Sequence, residues 1–132
     1  MAGGFHRYTV DSTWTGPHFE KMLYDHGQIV EYLANLCSNG QREPAFERAI
    51  SLTVQWLQRE MTSPDGYFYA AQDADSFARK EDKEPEEGLF YVWEYQQLQQ
   101  LLNQIELETL TEAFTITPEG NFEPTFRTSF VP

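Results

Sequence analysis

The 132-residue chain carries 21 acidic against 9 basic side chains, and its net charge of -12 repels nucleic-acid phosphates and anionic membranes alike. Apolar residues at 40% and aromatics at 15% suffice for one modest core and exclude a disordered chain. One cysteine, Cys37, excludes an internal disulfide and any Cys-x-x-Cys redox motif.

No run approaches the roughly 18 apolar residues of a membrane span. Met1 to Tyr8 lack the basic-then-apolar order of a secretory leader. The expectation is a cytoplasmic protein with no nucleic-acid and no membrane partner.

Residues 1–16, with paired glycines and polar aromatics, read as a loop or short extended segment. Pro17 stands where helices begin, with φ already fixed and no donor to waste. From His18 to Cys37 the apolar residues Phe19, Met22, Leu23, Ile29, Val30, Leu33 and Leu36 fill an arc of roughly 160° at helical pitch. Ser38-Asn39-Gly40 closes that helix. A second helix over 44–61 carries Phe46, Ala49, Ile50, Thr53, Val54 and Leu57 on one stripe, and Ser63-Pro64-Asp65-Gly66 is a turn. The first half is therefore an αα-hairpin.

Tyr67 to Ala71, short and aromatic between turn residues, favours a strand. Residues 79–87 form a charged loop, and 89–93 read as a second strand antiparallel to the first. Leu98, Leu101, Leu102 and Ile105 mark a helix near 94–103, and a short one follows around 107–114.

Four clusters offer chemistry. In Gly3-Gly4-Phe5-His6-Arg7-Tyr8 the glycines let the backbone turn sharply and bring a proton carrier and a guanidinium fork toward a ligand. A capped turn with an exposed histidine is the simpler account. His18, Lys21 and Asp25 share one side of the first helical turns, facing a pocket or forming an ordinary Lys21–Asp25 pair. His26 projects into the apolar arc, as a hydrogen-bonded core residue does.

Asp73 and Asp75 follow a strand end, as acid and base or as an Asx turn. Glu86 and Glu87 lead into the next strand. Pairing of the two strands gathers four carboxylates at one end of a ribbon, where like charge raises at least one pKa. Three histidines, one cysteine and no regular oxygen spacing give neither a zinc nor a calcium motif, so no cofactor is expected.

Four strings stand in one order: Gly-Gly-Phe-His-Arg-Tyr at 3–8, Pro-His-Phe-Glu-Lys-Met-Leu-Tyr-Asp at 17–25, Asp-Ala-Asp-Ser at 73–76 and Glu-Gly-Leu-Phe-Tyr-Val-Trp at 87–93. Together they resemble the YyaL-type, or spermatogenesis-associated-protein-type, family, in which a thioredoxin-like domain precedes an (α/α)6 barrel. The resemblance covers residues 3 to about 123. It implies a barrel like those of N-acylglucosamine 2-epimerases and six-hairpin glycosidases, and a role in carbohydrate metabolism.

Three departures stand against it. The thioredoxin-like domain is absent. The three or four helices here cannot close a twelve-helix barrel. Gly120-Asn121-Phe122-Glu123 fits a family loop, but Pro124 stands where the family has Gly, and residues 124–132 leave the pattern. Truncation, a shifted reading frame or an artificial end of the sequence would each explain that tail.

The expected fold is mainly α: αα-hairpins from an incomplete (α/α)6 barrel with a short antiparallel ribbon, 1–123 a partial barrel domain and 124–132 an off-pattern tail. The expected function is a fragment of a sugar isomerase, epimerase or glycosidase-like protein, inactive alone. His6, His18, Asp73, Asp75, Glu86 and Glu87 are its proton-transfer candidates, and Arg7, Tyr8, Lys21 and Asp25 bind substrate. The alternative is a non-catalytic module whose polar clusters hold the barrel mouth. Partners are a small carbohydrate and, through exposed apolar faces, a second copy of the chain.

Overall fold

A computed structural model describes residues 3–77, 80–114 and 116–120. The tail at 124–132 and the residues Asn121 to Glu123 lie outside the described residues. Two long helices, α1 (Leu23–Ser38) and α2 (Pro44–Glu60), pack as the expected αα-hairpin. Pro44 opens α2 after the extended Glu43, and α1 ends where the amides of Asn39 and Gly40 bond back to Asn35 and Cys37.

Helix α1 begins at Leu23, six residues after Pro17, and that corrects the expected start. Residues 17–22 are extended, and β1 (Lys21–Met22) pairs antiparallel with β2 (Ala71–Gln72). The amides a helix would consume are spent on strands. His18 donates to the Tyr8 carbonyl at 2.8 Å, and Leu23 donates to Ala70 at 2.9 Å. Arg7 in turn donates to the Glu20 carbonyl at 3.0 Å. Pro17 bridges Thr9. A proline without a donor suits a strand edge as well as a helix start, so the signal was ambiguous.

The expected ribbon between 67–71 and 89–93 does not form. Residues 67–69 fold back on the end of α2, with Ser63 donating to Tyr67 and Tyr69 to Met61. The second antiparallel pair joins β3 (Asp75–Ser76) to β4 (Glu86–Glu87). Gly88, at φ +73°, then turns the chain, and the Tyr91 and Val92 amides bond back to its carbonyl. The strand preference of Phe90 to Trp93 loses to that turn.

Helices α3 (Tyr95–Leu101) and α4 (Gln104–Ala113) follow. Both open on capping boxes, Glu94 with Gln97 and Asn103 with Glu106. The described residues are mainly helical, as the apolar period implied, with two small antiparallel sheets in place of the one expected ribbon.

The core is small and chemically mixed. Phe19, Trp56, Met61 and Ala74 are buried together with Lys21, His26 and Thr53. It lies where α1 and α2 meet the N-terminal segment and the β1–β2 ribbon. Leu23, Ile29 and Leu33 are only half-buried, and Tyr24, Tyr32, Tyr67 and Phe68 are exposed. No helix among the described residues is long and apolar enough to cross a membrane.

Candidate functional site

The N-terminal segment doubles back on itself through Arg7–Glu20, and this places both histidine motifs beside the ribbon end. Tyr8 stacks on His18 with ring centroids 4.8 Å apart. Arg7 Nη1 meets Glu20 Oε2 at 3.0 Å. His6 lies edge-on to Phe19 and Tyr91, with centroids at 5.4 and 4.7 Å.

Behind this surface is a buried frame. Lys21, expected to orient a substrate, is only 2% exposed and points inward. Its Nζ donates to the Gly3 carbonyl at 2.7 Å. The same ammonium lies 4.9 Å from the Tyr91 ring and 5.5 Å from the Trp56 ring. Aromatic faces attract a cation that has lost its water, yet burial still pushes the Lys21 pKa down to about 8. It forms no helical pair with Asp25, because β1 directs it away from that face. Asp25 sits in the first turn of α1, where the dipole favours an acid, and its Oδ2 is buried without a hydrogen-bond partner among the described residues.

His26 is the core residue its position implied. Nδ1 lies 2.6 Å from the Met22 carbonyl, and Nε2 accepts from the Phe5 amide at 2.7 Å. A carbonyl can only accept and an amide can only donate, so the ring is neutral with its proton on Nδ1. Burial lowers its pKa accordingly. His6 Nδ1 likewise faces the Phe19 carbonyl at 3.1 Å, which leaves its Nε2 with a lone pair. Burial, and next the Lys21 charge, lower the His6 pKa.

The remaining titratable pair is His18 and Glu87. His18 Nδ1 accepts from the Glu20 amide at 3.4 Å, so its proton sits on Nε2. That nitrogen lies 3.9 Å from Glu87 Oε1, and the two side chains are 23% and 20% exposed. Oε1 is buried and has no hydrogen-bond partner among the described residues. A donor and an acceptor at that separation are spaced for one hydroxyl oxygen, about 2.8 Å from each.

The other carboxylates divide. The β3–β4 register sets Asp75 opposite Glu87, so Asp75 shares that edge. Asp73 closes an Asx turn onto the Asp75 amide at 3.1 Å, and Glu86 lies opposite Ser76 on the exposed end. Thus His6, His18, Arg7, Tyr8, Glu87 and Asp75 share one region; Lys21 lies beneath it, and Asp73 and Glu86 stand at its rim.

Three features escaped the sequence reading. Trp56 donates its indole N–H to Gln72 at 2.8 Å and lies 4.3 Å from His26, tying α2 to the ribbon. Tyr91 stacks on Phe19 at 5.5 Å. Asp11 organises a tight turn around Trp14. Nothing local in the sequence marks the first two; the Asp11-Ser12-Thr13 string, with its capping residue types, marks the third.

A shallow groove between α3 and α4, lined by Tyr95, Leu107, Glu108 and Thr111, lies apart from all of this. No group of three or more His, Cys, Asp or Glu among the described residues is placed to hold a metal ion.

No family model matches the chain. It is 35% identical over 131 residues to spermatogenesis-associated protein 20 of Homo sapiens, covering 92% of this chain and 16% of that relative. The Mus musculus protein of the same name is 41% identical over 100 residues, with 75% and 12% covered. An uncharacterised protein of Caenorhabditis elegans is 32% identical over 127 residues, with 92% and 17% covered. The chain thus spans about a sixth of the length of the human and worm relatives. Similarity along nearly all of it to one segment of spermatogenesis-associated protein 20 supports the family its motifs resemble.

Proposed function

We propose that this chain supplies one wall of a small-carbohydrate site in a longer cytoplasmic protein. His18 and Glu87 pass a proton to or from a sugar hydroxyl or an adjacent carbon. The carrying observation is the 3.9 Å separation of His18 Nε2 from a buried Glu87 oxygen that has no hydrogen-bond partner among the described residues, in two side chains that are 23% and 20% exposed. Half-burial suits general acid–base groups, which must lose water and still reach substrate.

His6, neutral and with a free Nε2, is the second base, and Arg7 and Tyr8 flank the pair. The two αα units and the polar ribbon edge fit one sector of an (α/α)6 barrel preceded by a thioredoxin-like domain. The parent isomerises, epimerises or hydrolyses its sugar, and this chain alone turns nothing over.

A second reading has its own observation. Lys21, His26 and Asp73 are spent on the chain's own backbone, as in a module that merely holds a barrel mouth.

Incubation of the longer human relative with simple aldoses in D2O separates the readings. An isomerase or epimerase incorporates deuterium at carbon, and a hydrolase releases reducing ends from disaccharides. Loss of either activity on alanine replacement at the position aligned with His18, with folding retained, supports catalysis. No turnover of any sugar by the folded protein leaves the structural module.

A further inference from the structure

Helices α3 and α4 pack on each other, and neither buries a residue of its own. Leu101 and Ile105, at their junction, are 66% and 75% exposed. The groove between the two helices measures about 430 Å³, and Tyr95 and Leu107 give it an apolar lining. Glu108 and Glu112, one helical turn apart on α4, supply its charge. Gln104 donates its side-chain amide to Glu108 at 2.9 Å and holds that carboxylate along the helix. Residues 84–120 as a whole carry eight glutamates and no lysine, arginine or histidine.

Such a groove selects its occupant by backbone, by face and by charge. Its walls are helices whose amides and carbonyls are bonded within the helix, so an extended peptide laid there would leave its own amides unpaired. A helix brings its amides already paired and needs only an apolar stripe to meet Tyr95 and Leu107. Opposite Glu108 and Glu112, that stripe must be flanked by cations at the same one-turn spacing. A second copy of the chain fits poorly. Each copy has a net charge of -12, and the only charged side chains on α3 and α4 are glutamates. Like charges brought together cost affinity.

We propose that the α3–α4 groove is the docking site for a cationic amphipathic helix of a partner protein. Apolar side chains of that helix cover Tyr95 and Leu107, and its lysines or arginines meet Glu108 and Glu112. The contact lies apart from the His18–Glu87 region and does not depend on the carbohydrate reading.

Fluorescence anisotropy with a labelled peptide of leucine and lysine at helical period, about 14 residues or roughly four turns, tests it. A peptide of the same composition, scrambled so that its leucines share no face, is the control. The first is expected to bind the chain, more weakly as salt rises, and the second to bind about tenfold more weakly still. Glu108→Gln with Glu112→Gln should weaken the first peptide about tenfold, the combined worth of two rim ion pairs. Glu81→Gln with Glu84→Gln, in the exposed loop, should leave it unchanged. Leu107→Ala should weaken it about tenfold through lost apolar cover. Where that variant loses helicity, the glutamine pair decides, because Glu108 and Glu112 are exposed.

Equal binding of the scrambled peptide overturns the proposal, since charge alone then suffices. So does an affinity that the groove substitutions leave unchanged, or no binding at all. A dimer of the chain that Leu107→Ala dissociates makes a second copy the occupant and also overturns it. The longer human relative is assayed beside the chain. Binding by the chain alone means that the relative's own residues fill the groove, which overturns a separate partner.

Discussion

Lys21 Nζ donates to the Gly3 carbonyl at 2.7 Å from between the Trp56 and Tyr91 rings, and that bond pins the glycine loop to the ribbon. Lys21→Ala should cost about 2–4 kcal/mol, from an emptied cage and an unpartnered carbonyl. Lys21→Met keeps the stem and should cost about 1–2 kcal/mol. Urea unfolding of the two variants measures both.

The same lysine sets a slope with pH. Its folded pKa is about 8 against an ordinary 10.5, so between those values the unfolded chain binds the extra proton. Stability must then rise as pH rises through that window. The neutral amine still donates to Gly3. Lys21→Met should flatten the difference between pH 8 and pH 10.5, and an unchanged slope would contradict the buried position.

His26 acts in the opposite range. Its folded pKa lies below 6.5, so as pH falls past 6.5 the unfolded chain protonates first and stability is lost. His6 adds to the same trend. Denaturant midpoints at pH 7.5 and 5.5 should show the loss, and His26→Gln should reduce it. His26→Ala at neutral pH should cost about 2–4 kcal/mol, since the Phe5 amide and Met22 carbonyl lose their partner.

Gly88 faces the Phe19 ring at φ +73°, and a Cβ there would overlap that ring. Gly88→Ala should therefore destabilise by about 2–4 kcal/mol, from the left-handed backbone and the displaced aromatic together. A melting curve suffices to check it.

What was legible in the sequence follows physical range. The α1–α2 hairpin, its Pro44 start and the core position of His26 rest on local period and were read correctly. Lys21 was not. Lysines are almost never buried unless paired, and its cage comes from Trp56 and Tyr91, far along the chain. Similarly, Pro17 and the aromatic run at 90–93 carried valid local signals, and long-range pairing with Tyr8 and the Gly88 turn overrode them. Asp73 showed its Asx-turn chemistry in the sequence, whereas the approach of His18 to Glu87 required the fold.

The half-covered Leu23, Ile29 and Leu33, with Tyr24, Tyr32, Tyr67 and Phe68 outside, leave substantial apolar surface in water. The isolated chain should self-associate or bind a hydrophobic dye, and light scattering after size exclusion tests this. A monodisperse monomer with a sharp melt would show that this surface is tolerated.

The division between the Lys21 frame and the partly exposed His18–Glu87 pair is tested most directly by sugar affinity measured beside thermal stability. His18→Ala and Glu87→Gln should each lose about tenfold or more in affinity for whichever sugar the wild type binds, the worth of one hydrogen bond to a charged or polar partner. Their melting temperatures should stay near wild type, because both side chains lie outside the core. Lys21→Met should show the reverse, a lower melting temperature with affinity retained in the folded fraction. If His18→Ala and Glu87→Gln bind sugar as wild type does, or unfold as Lys21→Ala does, the pair belongs to the frame and the account is wrong.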